Sequence, residues 1–120
     1  MTGDGAEPPG AVLRQSIGLG LKGGRFVPLL TRGSRLPASR TETFTTGDDY
    51  QAAIKMTLLA GDDNVADRNA LLGEYEVSGF ETGPRGIPQI EVTFQVGLDD
   101  VLQVLARDLA TGTSVSVTRP

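Results

Sequence analysis

The sequence predicts an all-β domain, an antiparallel β-sandwich of about eight short strands. Three observations carry that expectation. Apolar residues alternate strictly with polar ones at Ile90, Val92, Phe94 and Val96, a period of two that marks a half-buried strand. Turn residues are dense, with 16 glycines and 7 prolines in 120 residues. No helical period is sustained anywhere along the chain.

The elements follow in order. Residues 1–11 are rich in Gly, Pro and acid and read as a flexible leader or linker, extended to residue 15; the sandwich domain is assigned to 16–120. Ile17, Leu19 and Leu21 alternate with Ser16, Gly18 and Gly20. Lys22-Gly23-Gly24-Arg25 is a hairpin turn, because paired glycines take positive φ without strain. Phe26–Leu30 follows, and Pro28 within it requires an edge or a bulge. After a loop over 31–39, Arg40–Thr46 is β-prone through its threonines and Phe44.

Gly47-Asp48-Asp49-Tyr50 turns the chain into Ala53–Ala60, the most apolar run. Asp62–Leu72 is mainly loop, with room for a short helical turn. Leu72–Ser78 adds a strand. Pro84, Gly86 and Pro88 break regular structure before the Ile90 strand. Gly97-Leu98-Asp99-Asp100 turns the chain, Val101–Arg107 returns, and Thr113–Thr118 closes the domain.

Composition excludes several functions. The chain has no Cys and no His, so it holds no disulfide, no thiolate or imidazole metal site, and no Ser-His-Asp or Cys-His constellation. The expectation is a non-enzyme without catalytic, cofactor-binding or metal-binding residues. Asp48-Asp49 and Asp62-Asp63 read as solvated turn carboxylates rather than ligands. With 11 basic and 15 acidic residues interspersed, net charge −4, there is no basic stripe for nucleic acid. No apolar run is long enough to span a membrane, and residues 1–10 do not read as a signal peptide, so a cytoplasmic location is expected.

The run Pro84-Arg85-Gly86-Ile87-Pro88-Gln89-Ile90-Glu91-Val92-Thr93-Phe94 and the later Ala106-Arg107-Asp108-Leu109-Ala110-Thr111-Gly112 resemble the substrate-binding β-domain of the seventy-kilodalton heat-shock, DnaK-type chaperone family. The resemblance extends from about Ser16 to Thr118. Its landmarks include Gly23-Gly24, Pro37, Phe44-Thr45-Thr46, Gln51, Gly61, Asn69 and Gly73. It covers the β-sandwich alone, without the family's nucleotide-binding domain or helical lid.

The resemblance implies peptide-binding loops at one end of the sandwich and a stress-response chaperone that holds extended apolar segments of unfolded proteins. Leu19, Leu21, Phe44, Ile54 and Met56 match the pocket lining, with Ile54 at the floor. Thr45, Gly47 and Gln51 match positions that touch the peptide backbone. Lys22 and Gly47 match the two residues that arch over the peptide. On pattern alone, Phe44, Ile54 and Met56 read as core.

The chain departs from the family pattern in three places, the arch, the linker and the hairpin turn. Lys22 and Gly47 make a poor arch, since Gly47 has no side chain and the Lys22 ammonium resists desolvation. Ala11-Val12-Leu13-Arg14-Gln15 replaces an acidic residue and Pro in the interdomain linker. Asp100 stands where the family prefers Gly, and Asp tolerates left-handed φ. Asp99 matches a contact to the nucleotide-binding domain, and Arg85 matches a latch to the lid; alone, each reads as a surface residue.

The chain itself is expected to bind no cofactor. ATP enters only through a separate nucleotide-binding domain of a longer protein. The expected partners are extended apolar peptides, with such a domain and cochaperones in the full protein. Self-association is a further expectation, through Leu13 of the leader or the Val115–Pro120 tail entering another copy's Ile54 pocket. Beside the chaperone reading stands a second one, an interaction or scaffold module of a longer protein without general chaperone activity.

Overall fold

The computed structural model describes residues 12–119. The leader reading of residues 1–11 lies outside that span. Eight strands form: β1 Ile17–Gly20, β2 Phe26–Leu30, β3 Ala38–Phe44, β4 Ala53–Ala60, β5 Ala70–Ser78, β6 Ile90–Val96, β7 Leu102–Asp108 and β8 Thr113–Thr118. One 3₁₀ turn, Ala66–Arg68, falls in the segment expected to hold a short helical turn. Among the described residues no helix is long and apolar enough to cross a membrane.

All strand neighbours are antiparallel, in the order β2-β1-β4-β5-β8-β7-β6-β3. The sandwich is therefore one continuous sheet folded over at β8. That strand pairs with β5 through Glu76↔Thr118 and with β7 through Ala106↔Val115. The free edges β2 and β3 approach each other, and the Arg40 guanidinium donates to the Leu29 carbonyl at 3.4 Å, so the sheet is nearly closed.

Alternation places the core. Ile90, Val92 and Phe94 have no exposure and Val96 has 1%. They face Ile54, Met56, Leu58, Tyr75 and Val77 from the other layer. A second, smaller cluster of Phe26, Leu59 and Ala66 lies beneath the β4–β5 loop.

Pro28 occupies a position that is both an edge and a bulge. β2 is the outer strand, and the register jumps from Ile17↔Leu30 to Gly18↔Pro28. Gly18 permits this close approach, since a Cβ there would stand 2.1 Å from the Val27 carbonyl oxygen. Gly23 and Gly24 take φ of 88° and 81° in the hairpin turn, as their pairing predicts. Asp100 adopts φ 65° in the β6–β7 turn, so the aspartate carries the left-handed conformation itself.

Several strand limits shift by one or two residues: β3 starts at Ala38 rather than Arg40, and β7 runs Leu102–Asp108 rather than Val101–Arg107. β3 ends at Phe44 rather than Thr46, because the Thr45 hydroxyl donates to the Pro88 carbonyl and the Thr46 carbonyl accepts the Gly86 N–H. β5 starts at Ala70, two residues before the expected Leu72.

The expectation that Leu13 swings free to enter another copy is overturned. Leu13 is 4% exposed within the main core. Its N–H donates to the Ser34 carbonyl and its own carbonyl accepts from Gly33, both at 2.8 Å. Val12 bridges Arg35. The tail is equally committed, because Val115 and Val117 pair within β8 and pack against the core. Withdrawing either would expose apolar surface and break sheet or bridge bonds.

Candidate functional site

Loops gather at the end of the sandwich where β3 delivers Phe44 and β4 begins at Ala53. The β3–β4 loop, residues 45–52, is braced against the β5–β6 loop, residues 79–89. Tyr50 N–H donates to the Gly83 carbonyl at 2.8 Å, Gly86 N–H to the Thr46 carbonyl at 3.0 Å, and Arg85 N–H to Asp49 Oδ1 at 3.0 Å. Tyr50 holds φ 52°, an uncommon conformation for a bulky residue, and is 67% exposed. The β1–β2 hairpin, residues 21–25, is braced in turn by the β4–β5 loop. Phe26 N–H donates to the Asn64 carbonyl and Ala66 N–H to that of Gly24.

The apolar residues assigned to the pocket divide between the layers. Leu19 pairs Leu58 in the β1–β4 register, and Met56 and Ile54 lie beyond it towards the loop end. Ile54 is 7% exposed and Met56 4%, both in the main core. Leu19 and Phe44 are half-buried against that core. Phe44 pairs Ile90 in the facing layer and meets Phe94 edge to face, ring centres 6.3 Å apart at 73°. Leu21 is exposed and borders a separate depression beside Gly20, Leu59 and Ala66, on the side of the small second cluster.

The polar positions behave differently from one another. Gln51 is spent within its own loop: Oε1 accepts the N–H groups of Gly47 and Asp48, at 3.1 and 3.2 Å, and Nε2 donates to the Ala53 carbonyl at 2.6 Å. It shapes the loop. Thr45 is exposed, and its hydroxyl oxygen keeps accepting capacity after donating to Pro88. Lys22 and Gly47 are both exposed, and a Cβ on Gly47 would meet nothing within 4 Å.

The turn carboxylates are used locally. Asp49 and Asp63 accept backbone N–H groups, and Asp62 pairs with Arg32 at 3.4 Å. No cluster of three or more metal-ligating side chains occurs among the described residues.

Asp108 was not singled out by residue type, although it lies in the second motif. It is 1% exposed, accepts Glu81 N–H at 2.8 Å through Oδ2 and Ala110 N–H at 2.9 Å through Oδ1, and so pins the β5–β6 loop to the β7–β8 turn. The alternating sequence pattern gave no sign of this, because its partners lie 27 and 2 residues away.

The fold and this braced end define a β-domain with loops gathered over an apolar interior. A family profile described as Hsp70 protein matches residues 11–120. The chain is 39% identical over 103 residues to the "Heat shock 70-related protein 1, mitochondrial" of Leishmania major, covering 86% of this chain and 16% of that protein. It is 39% identical over 97 residues to the "Chaperone protein DnaK" of Thermosipho melanesiensis, covering 81% and 16%. A third relative, the "Chaperone protein DnaK" of Thermosipho africanus, is 38% identical over 102 residues, covering 85% and 17%. The chain belongs to the Hsp70 protein family. It spans about a sixth of the length of these curated relatives.

Proposed function

We propose that this domain holds short, extended, apolar peptide segments of unfolded proteins and performs no catalysis itself. The observation that carries the reading is that Phe44 from one layer and Leu19, Ile54 and Met56 from the other belong to or pack against the same apolar core, on the strands that lead into the braced loops. Main-chain bonds from the loop accept any sequence, while an apolar floor selects a Leu-like side chain.

Ile54 and Met56 are nearly covered, so a peptide side chain reaches them only when the β1–β2 and β3–β4 loops part. Burying one Leu side chain offers about 1.5–3 kcal/mol, and each backbone bond adds about 0.5–1.5 kcal/mol. Ordering and association remove much of this, which leaves roughly micromolar affinity.

In this reading ATP acts through a nucleotide-binding domain of a longer protein, and that domain and cochaperones are its partners. The cytoplasm is the proposed location; the name of one relative carries the word mitochondrial.

A second reading, an interaction or scaffold module without general chaperone activity, draws on Lys22 and Gly47, which supply no apolar arch, and on the near-complete burial of Ile54. A peptide array separates the two. Many Leu-rich hits support peptide holding, and one hit or none supports the scaffold.

Fluorescence anisotropy with a labelled Leu-rich peptide then tests the floor. Ile54→Phe adds volume to a filled core, at about 1–3 kcal/mol of stability, and removes the space a peptide Leu needs. Weakened binding in a folded variant supports the pocket. Unchanged affinity makes Ile54 ordinary core.

A further inference from the structure

At the opposite end of the sandwich a second cleft of about 370 Å³ opens between the layers. The chain enters the domain here, at Leu13–Ile17, and leaves it at Arg119. Its volume lies at the low end of ordinary ligand pockets, roughly 300–1,000 Å³. Ile17, Leu72 and Leu102 give it apolar walls.

Three polar groups on this cleft have no partner among the described residues. Tyr75 is 9% exposed, and its phenol makes no hydrogen bond among the described residues. Arg14 and Arg119 also line the cleft, exposed and without an ion pair among the described residues.

Tyr75 and Arg119 are held side by side. The β5–β8 register runs Ser78↔Ser116, Val77↔Val117, Glu76↔Thr118, and its continuation sets Tyr75 opposite Arg119. Gly73 makes room for both. A Cβ there would lie 2.8 Å from Arg119 Cδ and 3.3 Å from Tyr75 Cε1. The Arg119 stem thus lies where any other residue would place a side chain.

Asp100 also borders the cleft. Among the described residues lining the cleft, two guanidinium groups stand against one carboxylate, a single net positive charge. That balance suits a monoanion better than a phosphate dianion. Guanidinium groups grip a carboxylate through paired N–H donors, and a phenol adds a third.

We propose that this cleft is a binding site for an apolar monocarboxylate, with the carboxylate held by Arg14, Arg119 and the Tyr75 hydroxyl and the apolar group against Ile17, Leu72 and Leu102. The chemistry has two sources: the free C-terminal residue of a peptide ending in Leu, or a free acid such as octanoate. The site is separate from the Phe44–Ile54 end and does not rest on the peptide-holding reading.

The test titrates the full chain with a pentapeptide ending in Leu, as free acid and as C-terminal amide, and with octanoate, followed by backbone amide NMR shifts. The acid is expected to bind saturably, with shifts at Leu72, Tyr75 and Arg119, and the amide about tenfold more weakly, reflecting loss of a charge-assisted contact. Arg14→Gln and Arg119→Gln each weaken acid binding by about tenfold. Tyr75→Phe weakens it about threefold, while the thermal midpoint stays level or rises because the hydroxyl has no partner among the described residues of the free protein. Octanoate binding as well as the peptide acid assigns the site to free acids; binding of the peptide acid alone assigns it to chain termini. Equal binding of acid and amide, no saturation by any of the three, unchanged binding in both arginine variants, or shifts centred on Phe44 and Ile54 overturns the proposal.

Discussion

The main-chain N–H of Arg85 donates to Oδ1 of Asp49 at 3.0 Å, joining the β5–β6 loop to the β3–β4 loop. The family pattern points to the Arg85 side chain, yet it is the Arg85 backbone that steadies the loop above Phe44 and Ile54. Asp49→Ala removes this link while leaving the Tyr50–Gly83 and Gly86–Thr46 bonds in place. Stability should fall by about 0.5–1.5 kcal/mol. In stopped-flow experiments a labelled peptide should leave the variant faster, and an unchanged off-rate would mean that the brace does not govern release.

Lys22 and Gly47 should set how long a peptide stays. The empty space around Gly47 makes Gly47→Ala sterically free, and Lys22→Met replaces an exposed ammonium with an apolar chain. The double variant should release peptide more slowly at an unchanged thermal midpoint, since interface changes act mostly through off-rate. Equal or faster release counts against an arch.

Leu13 is a core residue at the mouth of the domain. Leu13→Ala should lose about 2–5 kcal/mol of stability in urea unfolding, as expected for a truncated buried leucine. A change below about 0.5 kcal/mol, the usual range for a surface substitution, would return Leu13 to the leader. With Leu13 and β8 committed to their own sandwich, the full chain should sediment as a monomer at concentrations where a free apolar tail would drive association.

Asp108 holds two N–H groups from a site with 1% exposure. Asp108→Ala strands both donors, and each stranded donor costs about 1–3 kcal/mol. Asp108→Asn keeps one acceptor oxygen and should fall between the wild type and Asp108→Ala in the same urea titration. Equal stability of all three would remove Asp108 from the fold's supports.

Asp100 bears φ 65°. Asp100→Gly relieves left-handed strain, worth up to about 1 kcal/mol against the added freedom of the unfolded chain. It also removes the one carboxylate that the described residues place at the rim of the second cleft. Binding of the Leu-ended peptide acid should tighten in this variant, and weaker binding would contradict the charge balance assigned to that rim.

Much of the fold is legible in local sequence. The alternation from Ile90 to Val96, the Gly23-Gly24 turn and the tension at Pro28 each depend on residues within a few positions of one another. A strand's period and a turn's φ are local properties, so these features appear where they were read. The end of β3 shifted because Thr45 and Thr46 are claimed by Pro88 and Gly86, some 40 residues away, and β5 starts early because Ala70 and Leu71 pair with Ala60 and Leu59 of β4. The candidate site is legible only through its resemblance to a family, since alternating Phe44, Ile54 and Met56 look the same whether they line a pocket or fill a core.

By itself, then, the sequence determined that the chain is an antiparallel all-β domain and where most of its strands and turns fall. Tertiary structure alone decided that Leu13 belongs to the core, that one sheet folds over at β8 to make both layers, that Asp108 is sealed between two loops, and that Tyr75, Arg119 and Arg14 meet on one cleft. The physical reason is the same in each case. These contacts join residues far apart in the chain, and only the pairing register of distant strands brings them within reach.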